Sequence, residues 1–390
     1  MAEACNLCDR DQLTPVYRPD TTGRDITVYL CTHCGLIQSL PRADRAPRRG
    51  AAVSSGADWG NVRYGKGFRT KEAMAALARH TNIARDLTVL DVGSNRGSFA
   101  KALLAAAPNA FLTAVEPDER VAESCAGLPR TELVFSRIED AALESRRFDV
   151  VHSCHTIEHV GFALQVLEDH WRVLKPGGLL IIDAPNTAIL GAEDIVEEWF
   201  IDKHLYHFSK RTLTRMLEAA GFEIVEGPDD KDNANLLIVA RQSETRSKPI
   251  AADSAEVADA ERLMTAYVAN RTHNMKALSA VAAEIDGLLP KRVAMWGAGR
   301  LFDSLVIHGG FNARQLAMLI DANLKAHMGE RHGCALSTPD DLPSADPGVV
   351  VVMSRGFAGE IAEHAKKLAP TAEVIFYSDL LSRARTRMAA

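Results

Sequence analysis

Between Leu87 and about Ala240 the chain alternates short apolar runs with stretches whose apolar residues recur at helical spacing. The strand-like runs are TVLDVG, FLTAVEP, ELVFS, FDVVHSC, LLIIDAP, FEIVEG and NLLIVAR, and FAKALLAAA and ALQVLEDHWRVL are among the helical segments between them. This alternation restricts the fold more than any other feature. It spells βαβ units, and such units build an α/β domain around a mostly parallel sheet.

A chain of 390 residues has room for two or three domains, and the flanks of the alternating region differ from it. Cys5, Cys8, Cys31 and Cys34 make two C-x-x-C pairs within the first 34 residues, while Cys125, Cys154 and Cys334 stand alone. Paired knuckles in a cytosolic chain read as a metal site rather than a disulfide framework. Two residues between thiols let both sulfurs point at one ion, and two knuckles complete a tetrahedral shell. The expectation is a closed, structural four-thiolate zinc. ITVYL, just before Cys31, reads as a strand of a small hairpin. Residues 41–67 are rich in Arg, Gly, Ala and Ser and read as a linker and loop, and residues 70–85 have helical spacing. Residues 241–260 are polar and alanine-rich, a linker running into a helix expected to continue through residue 286. A second βα series follows in RVAMWGAGR, LAMLIDAN, VVVMSRG and EVIFYS. The expected organisation is a zinc-binding domain over 1–50, a central Rossmann-like domain over 51–245 and a smaller Rossmann-like domain over 246–390.

The net charge is −6, which argues against a nucleic-acid binder that relies on bulk charge. With 47% hydrophobic and 25% charged residues, disorder is excluded for most of the chain. No run of about 18 apolar residues suggests a membrane helix, and the start lacks a signal-peptide pattern, so a cytoplasmic location is expected. The chemistry centres on LDVGSNRGSFAKALL, residues 90–104, where a strand carrying Asp91 meets a glycine-rich turn from Gly93 to Gly97 that opens a helix. Glycines let the backbone approach a ligand, and the helix start offers free N–H groups. Nineteen residues beyond Gly97 the next strand ends in Glu116-Pro117, where a carboxylate can accept both hydroxyls of a ribose. GSNRGS does not match the dinucleotide pattern G-x-G-x-x-G.

The arrangement instead resembles motif I of class I S-adenosylmethionine (SAM)-dependent methyltransferases, with Asp91, Gly93 and Gly97 in place and Asn95 at the usual middle glycine. FDVVHSCHTIEHV resembles the fourth-strand motif of that class, and RVLKPGGLLIIDAPN its fifth-helix and fifth-strand signature. The resemblance covers about residues 60–240. It implies that Gly93, Ser94 and Gly97 face the amino-acid part of SAM, that Glu116 holds the ribose, and that Cys154 and His155 sit near the sulfonium. Arg137 stands where an acidic residue near adenine is often found, leaving Ile138 as a packing residue. Within RYGKGFR, Tyr64 is a lid residue by the same resemblance. The whole layout, with CTHCGLIQ as second knuckle and WGAGRLFDSL and LIDANLKAHMGERHG in the last domain, is similar to the three-domain sugar C-methyltransferases of deoxysugar pathways. That family implies a nucleotide-linked keto-sugar as acceptor.

The chain departs from that family in the segment after the fifth strand, where a Tyr-His-Glu-His run is usual. Here Ile201-Asp202-Lys203-His204 precedes Leu205-Tyr206-His207-Phe208-Ser209, so only His204 matches. Arg96 also replaces the acidic residue usual in the glycine loop. Histidine suits proton transfer near neutral pH, which makes His204 the expected general base, with Tyr206 and His207 orienting the acceptor and His155 the next candidate. Glu158 and His159 read as structural. Carbon transfer is favoured over oxygen transfer by the resemblance. Two other classes compete: an RNA methyltransferase gripping its substrate through the zinc knuckle, and a non-catalytic zinc scaffold with a vestigial SAM fold. The second is opposed by the intact Asp91, Gly93, Gly97 and Glu116 set.

Overall fold

The computed structural model describes residues 3–19, 22, 25–42, 68–118, 123–230, 232–244, 250–326 and 328–389. They fall into two compact units. One is built from residues up to Gly191 together with Trp199–Thr265, and the other from Ala192–Glu198 together with the chain from Ala266 onward.

The first unit opens with β1 (Leu13–Tyr17), β2 (Thr27–Cys31) and β3 (Ile37–Leu40). After α1 (Phe68–His80) come β4 (Thr88–Val92), α2 (Ser98–Ala106), β5 (Phe111–Val115), β6 (Thr131–Val134) and β7 (Phe148–Cys154). Then follow α3 (Ala163–Val173), β8 (Leu174–Pro185), the two-residue β9 (Tyr206–His207), α4 (Lys210–Ala219), β10 (Phe222–Glu226) and β11 (Asn235–Gln242). Seven strands form one sheet in the order β10-β11-β8-β7-β4-β5-β6. β8, β7, β4, β5 and β6 run parallel, and β11 is antiparallel to both of its neighbours.

The near-continuous apolar character of the central strands follows from their coverage on both faces. Neighbouring residues of a strand point to opposite sides. Val89, Val150, Leu179 and Ile181 join one core with Ala76, Leu77, Phe99 and Leu103 of α1 and α2. Leu90, Val151, Leu180 and Ile182 join the other with Val166, Leu167, Leu213 and Met216 of α3 and α4. A small antiparallel sheet, ordered β1-β2-β3-β9, carries the cysteine knuckles, and its last strand comes from the segment beyond β8. Cys5, Cys31 and Cys34 belong to the same core as α3 and α4, so the N-terminal segment packs within the first unit.

The polar stretch before residue 260 turns helical at Ser254, where α5 (Ser254–Asp286) begins; Asp253 caps it by accepting from the Glu256 N–H at 3.1 Å. The partition between the units falls within this helix. In the second unit α5 is followed by β12 (Val293–Trp296), α6 (Arg300–Ile307), β13 (Met318–Ile320), α7 (Ala322–Lys325), β14 (Glu330–Arg331) and β15 (Cys334–Ser337). The unit ends with α8 (Leu342–Ala345), β16 (Val349–Val352), α9 (Ala358–Leu368), β17 (Glu373–Phe376) and α10 (Tyr377–Ala389). The sheet order is β14-β15-β13-β12-β16-β17, parallel apart from β14. Arg355 holds Asp194 at 2.9 Å and Glu197 at 3.0 Å, which ties residues 192–198 into this unit. Among the described residues no helix is long and apolar enough to cross a membrane.

His170 on α3 is fully buried, and neither ring nitrogen has a hydrogen-bond partner among the described residues. Burial lowers its pKa from the ordinary 6.5 to about 4. The folded chain therefore keeps the ring neutral where the unfolded chain takes up a proton. Stability is complete above about pH 6.5 and declines as pH falls toward 4, with a limiting loss of roughly 3 kcal/mol. Urea unfolding of His170→Leu should show a shallower decline between pH 7 and 4.5 than the parent protein, and equal declines would contradict this assignment.

Candidate active site

The tip of β4 is drawn tightly against its neighbours. The N–H groups of Gly93 and Ser94 both donate to the Val115 carbonyl at the end of β5, at 2.9 and 3.1 Å. Gly93 has φ 69°, and a Cβ there would lie 2.2 Å from Thr156 Oγ1; Gly97 has φ 71°, and its Cβ would lie 2.4 Å from Cys125 Sγ. Both positions thus need glycine for conformation and for space. Asn95 also adopts positive φ, at 47°, which asparagine tolerates better than most residues. The carboxylate of Glu116 accepts from the Asn95 N–H through Oε2 and from the Asp118 N–H through Oε1, both at 3.0 Å. Burial pushes this carboxyl up, and the two N–H bonds work against that. Each oxygen retains a second lone pair, so the residue that clamps the loop can also accept a hydroxyl. Pro117 beside it is exposed.

Asp91 is buried and accepts from His152 Nδ1 at 2.7 Å, and the His152 ring stacks on Phe99 with centroids 3.7 Å apart. Its other oxygen is buried with no hydrogen-bond partner among the described residues. Ile138 lies buried in the short turn Ile138–Asp140. At the end of β7, Cys154 Sγ lies 3.7 Å from Asp183 Oδ2, and burial pushes the thiol up. Asp183, at the end of β8, also stands 3.8 Å from Arg69 Nε, and Arg69 donates to Asn235 at 2.9 Å. Tyr64 lies outside the described residues.

Next to Cys154 the chain turns sharply. His155 has φ 49°, donates its N–H to the Asp183 carbonyl at 2.8 Å, and places Nδ1 3.3 Å from Glu158 Oε1. Glu158 is 1% exposed, and its carbonyl accepts from the Leu205 N–H at 2.7 Å, which fixes the segment beyond β8 over it. His159 Nε2 lies 3.7 Å from Glu158 Oε1, and the His159 and His204 rings meet edge-on at 4.8 Å. Burial alone would raise the Glu158 carboxyl, but His159, His155 and His204 hold it well below the usual carboxylate range. Burial, then repulsion from His159, pushes His204 well below the ordinary imidazole value.

The structure thus gathers His155 and His204 on Glu158 and places Tyr206 and His207 elsewhere. Both of the latter sit on β9, paired with β3. The Tyr206 hydroxyl donates to the Gly161 carbonyl at 2.6 Å, His207 Nε2 lies 2.9 Å from Ser39 Oγ, and burial takes His207 down to about 3. Sequence reasoning passed over Arg69, Asp183 and Asn235, and took Glu158 and His159 as structural. The signal available was a Glu with three histidines inside FDVVHSCHTIEHV and an Asp closing LLIIDAP.

The four N-terminal cysteines are free thiols, with Cys5 and Cys34 sulfurs 3.5 Å apart and Cys8 and Cys31 sulfurs 3.6 Å apart. All four lie within 4.8 Å of one another. These separations are too long for disulfides. They are close to the edge, about 3.8 Å, of a tetrahedron with 2.3 Å metal–sulfur bonds. Thiol crowding pushes Cys5 and Cys34 up, mainly through Cys31, and Cys31 down, mainly through Cys34. The donor set fits a thiophilic cation.

Residues 66–227 match the family model described as a methyltransferase domain. A protein of Mycolicibacterium smegmatis named "probable S-adenosylmethionine-dependent methyltransferase" is 28% identical over 159 residues, 40% of this chain and 59% of that protein. A tRNA U34 carboxymethyltransferase of Desulfotalea psychrophila is 27% identical over 122 residues, 30% of this chain and 38% of that protein. The chain therefore spans less than two thirds of the length of these relatives. A solved S-adenosylmethionine dependent methyltransferase from Mesorhizobium loti is similar at 17% identity, covering 43% of this chain and 96% of its own, with a TM-score of 0.36. The glycine loop, the acidic strand tip and the strand order agree with the family match of residues 66–227 to a methyltransferase domain and with relatives named as SAM-dependent methyltransferases.

Proposed function

We propose that the protein transfers the methyl group of SAM to a small-molecule acceptor, a nucleotide-linked sugar, with carbon the favoured atom. The observation that carries this reading is the pairing of the glycine loop with His155 and His204 on a buried Glu158. SAM supplies an already activated methyl group on its sulfonium, so the protein's task is positioning and proton management. The β4 loop with Gly93, Ser94, Asn95 and Gly97 cradles the amino-acid part, Glu116 with Pro117 holds the ribose, and Ile138 packs near the adenine. Asp91, held by His152 and with its other oxygen buried without a hydrogen-bond partner among the described residues, belongs to the same site, and Cys154 and His155 flank the reacting centre. Tyr64 is assigned to the lid.

On the acceptor side, the proton beside a ketone passes to the histidine pair His155 and His204, and the enolate carbon attacks the methyl group as its bond to sulfur breaks. The proton remains on the imidazole. Tyr206 and His207 act from behind by holding the segment that carries His204. A tRNA acceptor is the second reading, favoured by the named activity of one relative and by the cysteine knuckles. General base catalysis typically contributes ~10²–10⁴-fold. Turnover at saturating SAM, read by mass and fragmentation against keto-sugar and hydroxy-sugar nucleotides, should fall on that scale in His155→Ala and His204→Ala with SAM affinity kept. Full activity in both variants would move the base elsewhere. Methylation of tRNA with no sugar product would favour the second reading.

The cysteine cluster is assigned one structural Zn2+ on Cys5, Cys8, Cys31 and Cys34, with no open position. Metal binding of this kind is coupled to folding. Because Cys31 and Cys34 share a core with β7 and β8, Cys31→Ala should release the zinc and lower the unfolding midpoint of the first unit. Elemental analysis giving one zinc fewer per chain in the variant than in the parent is expected; a zinc-free parent protein would contradict the assignment.

A further inference from the structure

Glu158 presents a charge problem that methyl transfer alone does not use. Its carboxylate is buried, and neither oxygen meets hydrogen-bond geometry with a donor among the described residues. His159 is fixed by its other nitrogen, because Nδ1 lies 2.8 Å from the Lys203 carbonyl oxygen, which can only accept. Nδ1 therefore carries a hydrogen, and Nε2 is the ring atom turned toward Glu158 Oε1, 3.7 Å away. A cation between the two would be held by the carboxylate oxygen and by Nε2, which gives up any proton to bind it. A histidine that donates Nδ1–H to a backbone carbonyl and offers Nε2 inward is oriented as metal-ligating histidines are. His204 completes the set, since ligand atoms of Glu158, His159 and His204 all lie within 4.8 Å of one another. A tetrahedral shell with bonds of about 2.1 Å has edges of about 3.4 Å, so small side-chain rotations close it.

We propose that Glu158, His159 and His204 bind a zinc-class divalent cation, a second metal site distinct from the cysteine cluster. Two histidines and one carboxylate leave coordination positions open, as catalytic sites require. The side chain of His159 is exposed, so the open side faces solvent and an entering acceptor. The proposal rests on the reading of this cluster as the acceptor site and deepens it. The cation takes the acceptor's carbonyl oxygen as a Lewis acid. With His204 committed to the cation, the proton-accepting role of the histidine pair falls to His155, which removes the neighbouring carbon-bound proton, and the negative charge of the enolate develops on the metal-held oxygen. The enolate then forms the new carbon–methyl bond while the sulfonium–methyl bond breaks and its electron pair stays on sulfur. The acceptor class is thus one with a carbonyl oxygen next to the methylated carbon.

The test uses the full-length protein with its cysteine-bound metal in place. Metal content is counted by elemental analysis, and Zn2+ is titrated by calorimetry and Co2+ by visible absorption. A second equivalent is expected, either present on purification or taken up in the titration, with a cobalt spectrum free of thiolate charge-transfer bands. His159→Ala, at an exposed position, should weaken that equivalent by at least about 10- to 100-fold. Glu158→Gln should do the same, and His80→Ala, whose ring pairs with Glu226 instead, should not. Absence of a second equivalent, or unchanged binding in both His159→Ala and Glu158→Gln, overturns the proposal. SAM calorimetry on the same samples separates the two readings: SAM binding without cation binding overturns only the metal site, and cation binding without SAM binding overturns only the methyltransferase reading.

Discussion

The close approach of the β4–α2 loop to the tips of β5 and β7 is the constraint on which the rest of the first unit depends. Two N–H groups, of Gly93 and Ser94, share the single Val115 carbonyl, and Thr156 Oγ1 occupies the space where a Cβ on Gly93 would sit. Thr156 in turn donates to the carbonyls of Val92 and Cys154, each at 3.2 Å, so the end of β4 and the end of β7 are fastened to one hydroxyl. Glu116 closes the third side by binding the N–H of Asn95. Contacts within the chain therefore shape the loop, and preorganisation of this kind lowers the cost of binding.

The same fastening shapes the turn that follows β7. His155 follows directly after β7, and its positive φ redirects the chain so that Glu158 points inward beneath the segment 201–209. Burying a carboxylate costs several kcal/mol unless positive charge or donors compensate. Here the groups that face it are imidazoles rather than Arg or Lys, with His155 Nδ1 at 3.3 Å and His159 Nε2 at 3.7 Å from Oε1 and His204 alongside. Tyr206 and His207 then link chemistry to architecture. As β9 they extend the cysteine-bearing sheet, so the position of His204 is coupled to the integrity of the N-terminal knuckles.

The seven strands of the main sheet were legible because runs such as LLIIDAP are buried on both faces and end at turn residues. The glycine loop was legible because positive φ and close approach at Gly93 and Gly97 admit few residue types, and the Glu116 tip because it closes the next strand at a fixed spacing from them. β9 was not legible: two residues carry no periodicity, and their partner β3 lies more than 160 positions earlier. The short β14 and β15 escaped for a similar reason, since only Leu336 of β15 is buried. Membership of residues 192–198 in the second unit depends on Arg355 reaching Asp194 and Glu197, a long-range ion pair invisible in local pattern. Glu158 and His159 read as structural because nothing in FDVVHSCHTIEHV indicates that His204 will fold over them. What brings them together with His204 is a juxtaposition across 45 positions, not a motif.

The proposed function requires SAM in the β4 loop with its ribose on Glu116. Calorimetric titration of SAM into the parent protein and Glu116→Ala tests this directly, with circular dichroism confirming that the variant keeps its fold. Losing the partner of buried hydroxyls costs roughly 1–3 kcal/mol, so SAM affinity should fall about 5- to 150-fold in the variant. Equal affinity in the two proteins, or no SAM binding by the parent, would contradict the account.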